Sequence, residues 1–354
     1  MNLFFDGRFI KADYPDGISR FSLGLIGALK SKVELTVMVS NQSQVEKIGP
    51  GVKFVKLCEV TSPKEILTAF KLNKLGARVV FSPMQTTSGL GRKFKLILTL
   101  HDLIYYRHKT PPREFHPVIR ALWFLYHLSY WPQRIVLAGA DAIATVSMTT
   151  KSQIERVRLT KRTVKVVYNA SDLSVSRTES GFESKQVVYM GSFIGYKNVE
   201  TLIRAIALTD LELVLLSKIS PTRKSELESL ADSHGAKVQF VGGVTDQEYS
   251  NWLSRSRALV SASYDEGFGI PVVEAMGHGV PVVLSDLAIF KEVAGDAGLF
   301  FAPNDEHSLA AHLEQLGNRE FWLAKSAQAK EQSEKFDWDS SAEDLLSLVR
   351  QLGA

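Results

Sequence analysis

Cysteine is nearly missing from this chain. Cys58 stands alone among 354 residues, so a disulfide framework, a zinc ribbon and a cysteine-ligated cluster are all excluded. Long apolar runs are missing too. The most apolar stretch, Ala121 to Trp131, carries His127, is flanked by Arg120 and Arg134, and falls short of the roughly 18 residues of a membrane span. Met1-Asn2-Leu3-Phe4-Phe5-Asp6 has no basic segment leading into a long apolar core. No signal peptide is therefore expected, and the cytoplasm is the expected compartment. There is no repeat of about 20–50 residues and no low-complexity tract. With 45% hydrophobic and 23% charged residues, the mixture is that of an ordinary globular protein, and its length fits two domains.

Acidic residues are scarce in the first half. Through Ala170 the chain holds 26 Lys+Arg against 11 Asp+Glu, a net of +15, whereas the remainder holds 16 against 27, a net of −11. Such asymmetry points to one domain facing an anionic partner, a nucleic acid or an anionic membrane. No nucleic-acid recognition motif accompanies the basic half, so nucleic acid is not expected.

Short β-branched runs alternate with helical stretches, the pattern of βα units around parallel sheets. Strands are expected at Leu3–Phe5, Leu35–Val39, Val52–Leu57, Val79–Ser82, Leu96–Leu100, Ala142–Val146 and Val164–Val167. After the polar stretch Asn169–Lys185, which reads as a linker, they are expected at Val187–Met190, Leu213–Leu216, Val238–Val241, Ala258–Ser261, Pro281–Leu284 and Leu299–Phe301. Between them, Ile18, Phe21, Leu25 and Leu29 fit one helical face, as do Leu202, Ile203, Ile206 and Ala207. Two doubly wound α/β domains with a cleft between them are expected, ligands binding beyond the carboxyl ends of the strands.

The densest cluster of chemistry is Ser263-Tyr264-Asp265-Glu266-Gly267-Phe268-Gly269-Ile270-Pro271-Val272-Val273-Glu274-Ala275-Met276. Gly267 and Gly269 permit a tight turn and close backbone approach, and Pro271 suits the first turn of a helix starting near Ile270. The N–H groups of that helix start favour an anion such as phosphate. Glu266 on the loop and Glu274 one turn into the helix could accept from different hydroxyls of one elongated ligand, or be acids favoured by the helix dipole. A dinucleotide fingerprint competes poorly, because no third glycine follows Gly269 in register. A second cluster, Tyr189 to Asn198, follows the first strand of the second half, with Gly191 for close approach and Lys197 placed for a phosphate, or else a solvated surface lysine. In the first half, His101-Asp102 ends a strand, where Asp102 could simply cap the next segment. Asp13-Tyr14-Pro15-Asp16-Gly17-Ile18-Ser19-Arg20 opens a helix, with Gly17 a candidate for backbone contact to phosphate or part of an ordinary turn.

Taken together, these segments resemble the family-four retaining glycosyltransferases of GT-B fold, over nearly the whole chain. The most specific match is Glu266-x7-Glu274 followed by Gly279-Val280-Pro281-Val282-Val283. Gly17 and Arg20 resemble the family's glycine loop, and His101-Asp102 its His-Asp strand end. Thr145-Val146-Ser147 resembles its domain-crossing segment, and Val167 to Asp172 its linker. Asp337-Trp338-Asp339 resembles the start of a C-terminal helix that returns to the first domain. The resemblance implies a first domain of residues 1–169 with the helix 338–354, and a donor-binding domain of residues 170–337. Glu266 would bind hydroxyls of the donor sugar and Glu274 the ribose. The segment Gly267, Phe268, Gly269 and Ile270 would line the donor, with the amides of Gly269 and Ile270 on the sugar or distal phosphate. Lys197 would bind the diphosphate beside Gly191, His101 would lie beside the transferred sugar, and Gly17 would touch the phosphate. The family often has arginine at the place of Ser192; Arg20 and Lys218 are conceivable substitutes.

The activity so implied is transfer of a hexose with retention, from a nucleotide-diphosphate sugar that is substrate rather than cofactor, to a hydroxyl of a glycan or lipid-linked acceptor. No Asp-x-Asp triad ends a strand and no hydrolase-type carboxylate pair is evident, so a metal-independent site is expected. The second half is most like the mannosyltransferase branch, favouring GDP-mannose over a UDP-sugar. A nucleotide-sugar binding or regulatory module without turnover is the competing class. The acceptor side is expected on the basic half. There Arg92, Lys93, Lys95, Arg107, Lys109, Arg113, Arg120 and Arg134 accompany Trp123, Phe124, Tyr126, Tyr130 and Trp131. That mixture either rests on an anionic membrane or forms an aromatic core stripe.

Overall fold

The computed structural model describes residues 2–11, 16–111, 116–171 and 181–353. The middle of the expected linker, residues Asp13, Tyr14 and Pro15, and Arg113 lie outside the described residues. The chain divides into two units, Met1–Ala170 with Asp337–Ala354, and Ser171–Phe336.

In the first unit the strands are β1 (Asn2–Asp6), β2 (Glu34–Val39), β3 (Lys53–Lys56), β4 (Val79–Ser82), β5 (Lys95–Leu100), β6 (Ala142–Thr145) and β7 (Thr163–Val166). They form one parallel sheet in the order β3-β2-β1-β4-β5-β6-β7. The second unit has β8 (Gln186–Tyr189), β9 (Glu212–Leu215), β10 (Val238–Phe240), β11 (Ala258–Ser261), β12 (Val282–Ser285) and β13 (Gly298–Phe301). Their order, β10-β9-β8-β11-β12-β13, repeats the same winding, again all parallel. Each lies within one residue of its expected bounds. Helices cover both faces of such sheets, so inner strands such as β4, β6, β11 and β12 are buried throughout, and their β-branched runs are continuous rather than alternating. The edge strand β3 instead exposes Lys53 and Lys56, which blunt an unpaired edge.

Each unit has its own core. In the first, Phe4, Leu72, Phe94, Leu98 and Leu137 pack together; in the second, Tyr189, Leu202, Ile206, Leu213 and Trp322 do. The helix Trp338–Gln351 belongs to the first unit, capped by Asp337 and packed against the helix Gly17–Leu29. Gly24 makes that packing possible: a Cβ there would come within 2.0 Å of the Trp338 ring. Lys32 reaches Asp339 at 3.1 Å, Lys165 reaches Asp344 at 2.7 Å, and Ser341 Oγ donates to the Tyr168 carbonyl at 2.8 Å. Thr145-Val146-Ser147 does not cross between units. Thr145 ends β6 and donates to the Leu100 carbonyl, while Ser147 caps the helix Met148–Arg156, all inside the first unit.

A buried charge cluster fills the carboxyl end of β1. Arg8 holds Asp6 at 2.7 Å and Glu65 at 2.5 Å, Thr87 Oγ1 donates to Asp6 at 2.8 Å, and the Ser88 amide donates to Glu65 at 3.1 Å. Burial works against the charged guanidinium, but its hydrogen bonds and Coulombic attraction to Asp6 and Glu65 outweigh this and raise its pKa. Glu65 also pays desolvation, yet Arg8 holds its pKa below the ordinary carboxylate value. Truncating Arg8 would strand two carboxylates without their cation. Arg8→Ala is therefore expected to lose about 3–5 kcal/mol of stability in urea unfolding; a loss below about 1 kcal/mol would show that the cluster is solvated.

Candidate functional site

In the second unit, strand order reverses direction between β8 and β11, which are hydrogen-bonded neighbours although 68 residues separate Tyr189 from Ala258. Loops leaving the carboxyl ends of two such strands splay apart and open a crevice at the switch point. The loop after β8 carries Lys197 and the loop after β11 carries Glu266. Lys197 Nζ lies 2.6 Å from Glu266 Oε1, both side chains about 15% exposed. Ser263 Oγ donates to the same oxygen at 2.9 Å. Both contacts fall on Oε1, so Oε2 is the acceptor open to another hydroxyl, and the ammonium keeps two of its three N–H donors for other acceptors.

Backbone devices hold the two loops. The Tyr264 amide donates to the Tyr196 carbonyl at 2.8 Å, tying one loop to the other. Asn198 adopts a left-handed conformation with φ 51°, rare for a residue other than glycine. Its Nδ2 donates to the carbonyls of Ala262 at 3.0 Å and Pro303 at 2.7 Å, and its Oδ1 accepts from Thr201. Asn198 thus turns the chain from the Lys197 turn into the helix Val199–Ile206 and clamps it to the end of β11. Gly269, with φ 94°, starts the helix Ile270–Gly277, which has Pro271 in its first turn and no side-chain cap; a Cβ on Gly269 would meet Phe290 at 2.9 Å.

The other expected donor-side residues divide. Glu274 lies one turn into this helix and is only 3% exposed. Phe268 turns its ring inward against Phe336, centroids 5.6 Å apart, so it offers the crevice its backbone alone. Gly267 lies between Glu266 and Phe268 on the same loop, and Ile270 opens the helix. The Gly191 amide donates to Ser217 Oγ at 3.1 Å, and Tyr189 Oη donates to the Ser192 carbonyl at 2.7 Å. Arg223 supports the same loop from behind, donating to the Phe193 carbonyl while paired with Glu200 and Glu226, so it is not a spare cation for phosphate. Lys218 follows β9, beside β8, with its stem against Gly243.

Residues 174–336 match the family described as Glycosyl transferases group 1. The chain is 27% identical over 278 residues to O-antigen chain mannosyltransferase B of Escherichia coli, covering 73% of this chain and 71% of that protein. It is 24% identical over 321 residues to the O-antigen chain mannosyltransferase RfbU of Salmonella typhimurium, covering 85% and 87%.

The chain carries a glycosyltransferase-family domain, which fills its second unit.

Its architecture is GT-B, shared with sucrose-phosphate synthase from Thermosynechococcus elongatus (TM-score 0.78, 18% identity, 99% of each chain covered). It is also shared with Anabaena Alr3699/HepE in complex with UDP-glucose (TM-score 0.74, 17% identity, 99% and 100% covered). Both of these curated relatives are mannosyltransferases. Among the described residues, no helix is long and apolar enough to cross a membrane.

In the first unit, Gly17 is the first residue of its helix, Arg20 lies in the next turn, and Asp16 caps the start by accepting from the Ser19 amide at 2.9 Å. His101 follows β5. Its Nε2 donates to the Pro83 carbonyl at 2.7 Å, which leaves Nδ1 as the acceptor, and its ring meets Phe21 edge-on. Asp102 accepts from the Ile104 amide at 2.8 Å, just before the short helix Ile104–Arg107, whose N-cap position is Leu103. Burial lowers the His101 pKa, outweighing the opposing pull of the Pro83 carbonyl, Asp102 and Asp16. Sequence reasoning placed Asn198 in the right cluster without giving it a task; its signal was a polar residue that tolerates left-handed backbone, directly after the lysine.

Two outcomes follow from this geometry. In a double-mutant cycle on nucleotide-diphosphate binding, Lys197→Met and Glu266→Gln should each weaken binding, and together by about 0.5–3 kcal/mol less than their sum; strict additivity would mean that the pair does not act as a unit. For His101, the unfolded chain takes up a proton near pH ~6.5 that the native imidazole refuses, so stability present above that pH drains away as pH falls below it. Unfolding free energy should drop between pH 7 and 5.5, and His101→Asn should flatten that drop; an unchanged slope would show an ordinary histidine.

Proposed function

We propose that this chain is a glycosyltransferase that moves a hexose, with mannose from GDP-mannose first in order, onto a hydroxyl of a glycan or lipid-linked acceptor. The observation that carries the proposal is the Lys197–Glu266 pair at the switch point of β8 and β11. A cation with spare donors lies beside a carboxylate with one open oxygen. A ligand with a diphosphate at one end of a sugar and hydroxyls at the other meets both at once. Lys197 then neutralises the diphosphate while Glu266 Oε2 accepts from a sugar hydroxyl, and buried Glu274 takes the ribose through its hydroxyls. The O-antigen mannosyltransferases among the relatives support the choice of mannose.

In this reading the bond from the anomeric carbon to the phosphate oxygen breaks as the acceptor oxygen bonds to the same face, giving retention. The acceptor proton passes to the departing phosphate oxygen. The largest need is stabilisation of charge on the leaving diphosphate, which Lys197 and the start of the helix Ile270–Gly277 supply without a metal. With serine at position 192, Lys218 is proposed as the second cation, since it leaves the neighbouring strand at the same sheet end.

A UDP-sugar donor is the second reading, because the similar structure of Alr3699/HepE is a complex with UDP-glucose. Thermal-shift titration with GDP, UDP, ADP and their sugars separates the two: GDP and GDP-mannose should raise the melting temperature most. Glu266→Ala should fold normally and lose turnover by about 10²–10³, as expected when a charged contact to the reacting sugar is removed. Wild-type turnover in that variant would sink the assignment.

A further inference from the structure

The helix Pro117–Tyr126 has no fully buried residue. One of its faces, formed by Trp123 and His127, lies against Tyr105: the Trp123 ring stacks on His127 at 4.0 Å and meets Tyr105 edge-on at 5.0 Å. The opposite face is Val118, Ile119, Leu122 and Leu125, spaced i, i+1, i+4 and i+7, and all four are exposed, Leu122 by 61%. Past the end of the helix Leu128 is exposed as well, and the next helix, Trp131–Ala138, exposes Trp131 by 66% and Ile135. Both helices therefore turn aliphatic side chains to solvent, the reverse of an ordinary surface helix.

We infer that this face is a membrane-docking surface that seats its apolar stripe in an anionic lipid bilayer. Charge complementarity favours lipid. From 103 to 140 the sequence holds five Lys or Arg and a single acid, Glu114. Lys109, exposed, precedes the helix in sequence, and Arg120 lies within it, its Nε buried with no partner among the described residues. Cations around an aliphatic stripe with an exposed tryptophan suit the interface between acyl chains and anionic headgroups. A second copy of this chain fits poorly, since Met1–Ala170 carries a net of +15 and would face its own charge. The inference deepens the proposed function, in that a lipid-linked acceptor would be met at that surface.

The test uses the full chain and no donor. Wild-type protein should sediment with vesicles of phosphatidylcholine containing phosphatidylglycerol, and much less with phosphatidylcholine alone. Leu122→Asp with Leu125→Asp should weaken vesicle binding about tenfold or more, since each removes an apolar insertion and adds like charge to the surface. Leu208→Asp, at another exposed leucine, in the second unit, should bind as wild type does. The melting temperature and the shift induced by nucleotide diphosphate should be unchanged in all three proteins. Wild-type protein that stays in solution at low salt overturns the inference, as does a double variant that binds vesicles equally well. An oligomer dissolved by the double variant, with no vesicle binding by either protein, assigns the face to a second copy instead. Failure here leaves donor binding and transfer standing, and loss of transfer leaves vesicle binding standing.

Discussion

A single ion pair at the mouth of the second sheet gathers what the rest of that unit prepares. Lys197 and Glu266 lie 69 residues apart in sequence and 2.6 Å apart in space. Little of the pair's position is intrinsic to either side chain. It comes from the winding, which sets β8 beside β11, and from the backbone link between Tyr196 and Tyr264. Asn198 then fixes the turn after the lysine, and Gly269 fixes the turn after the glutamate. Held this rigidly, the pair would need little rearrangement to meet a ligand, which is the source of the electrostatic role proposed for it.

The first unit has the same winding but a different content at the corresponding place. Its switch point lies between β1 and β4, and there Arg8, Asp6, Glu65 and Thr87 consume one another's hydrogen bonds. Charges so fully satisfied and so thoroughly buried fix a loop; they have nothing left to offer a ligand. The two units therefore put one architectural opening to two uses, a closed structural knot in one and a half-open ion pair in the other. The capacity left over there, the second oxygen of Glu266 and the spare donors of Lys197, is what the proposed site offers a ligand.

The strands were legible because a parallel sheet buries both faces, and continuous apolar β-branched runs such as Val79–Ser82 and Ala258–Ser261 have no other reading at that length. The start of the helix at Ile270 was legible from Gly269 and Pro271 for equally local reasons. Contacts between distant segments were not. Nothing near Lys197 names Glu266 as its partner, nothing near Gly24 announces the Trp338 ring that occupies its missing side chain, and Phe268 does not reveal that it turns toward Phe336. Thr145-Val146-Ser147 misled for a related reason: a short segment at a strand end looks alike whether the chain next leaves the domain or, as here, begins another helix inside it.

The aromatic stripe shows where periodicity itself stops deciding. A helix with one apolar and one polar face announces which side is inward, but Pro117–Tyr126 is apolar on both. Aromatic rings can satisfy a half-buried position through stacking and a polar edge, as Tyr126 does by donating to Gln133 and His127 by bonding the Trp123 carbonyl. Aliphatic side chains have no such polar handle. Trp123, Tyr126 and Tyr130 therefore fill the protein side, while Val118, Ile119, Leu122 and Leu125 remain outward with Phe124 and Trp131. Water pays for exposed leucine with no compensating bond, so an aliphatic face of this extent is a cost to the isolated molecule that only an apolar contact can recover.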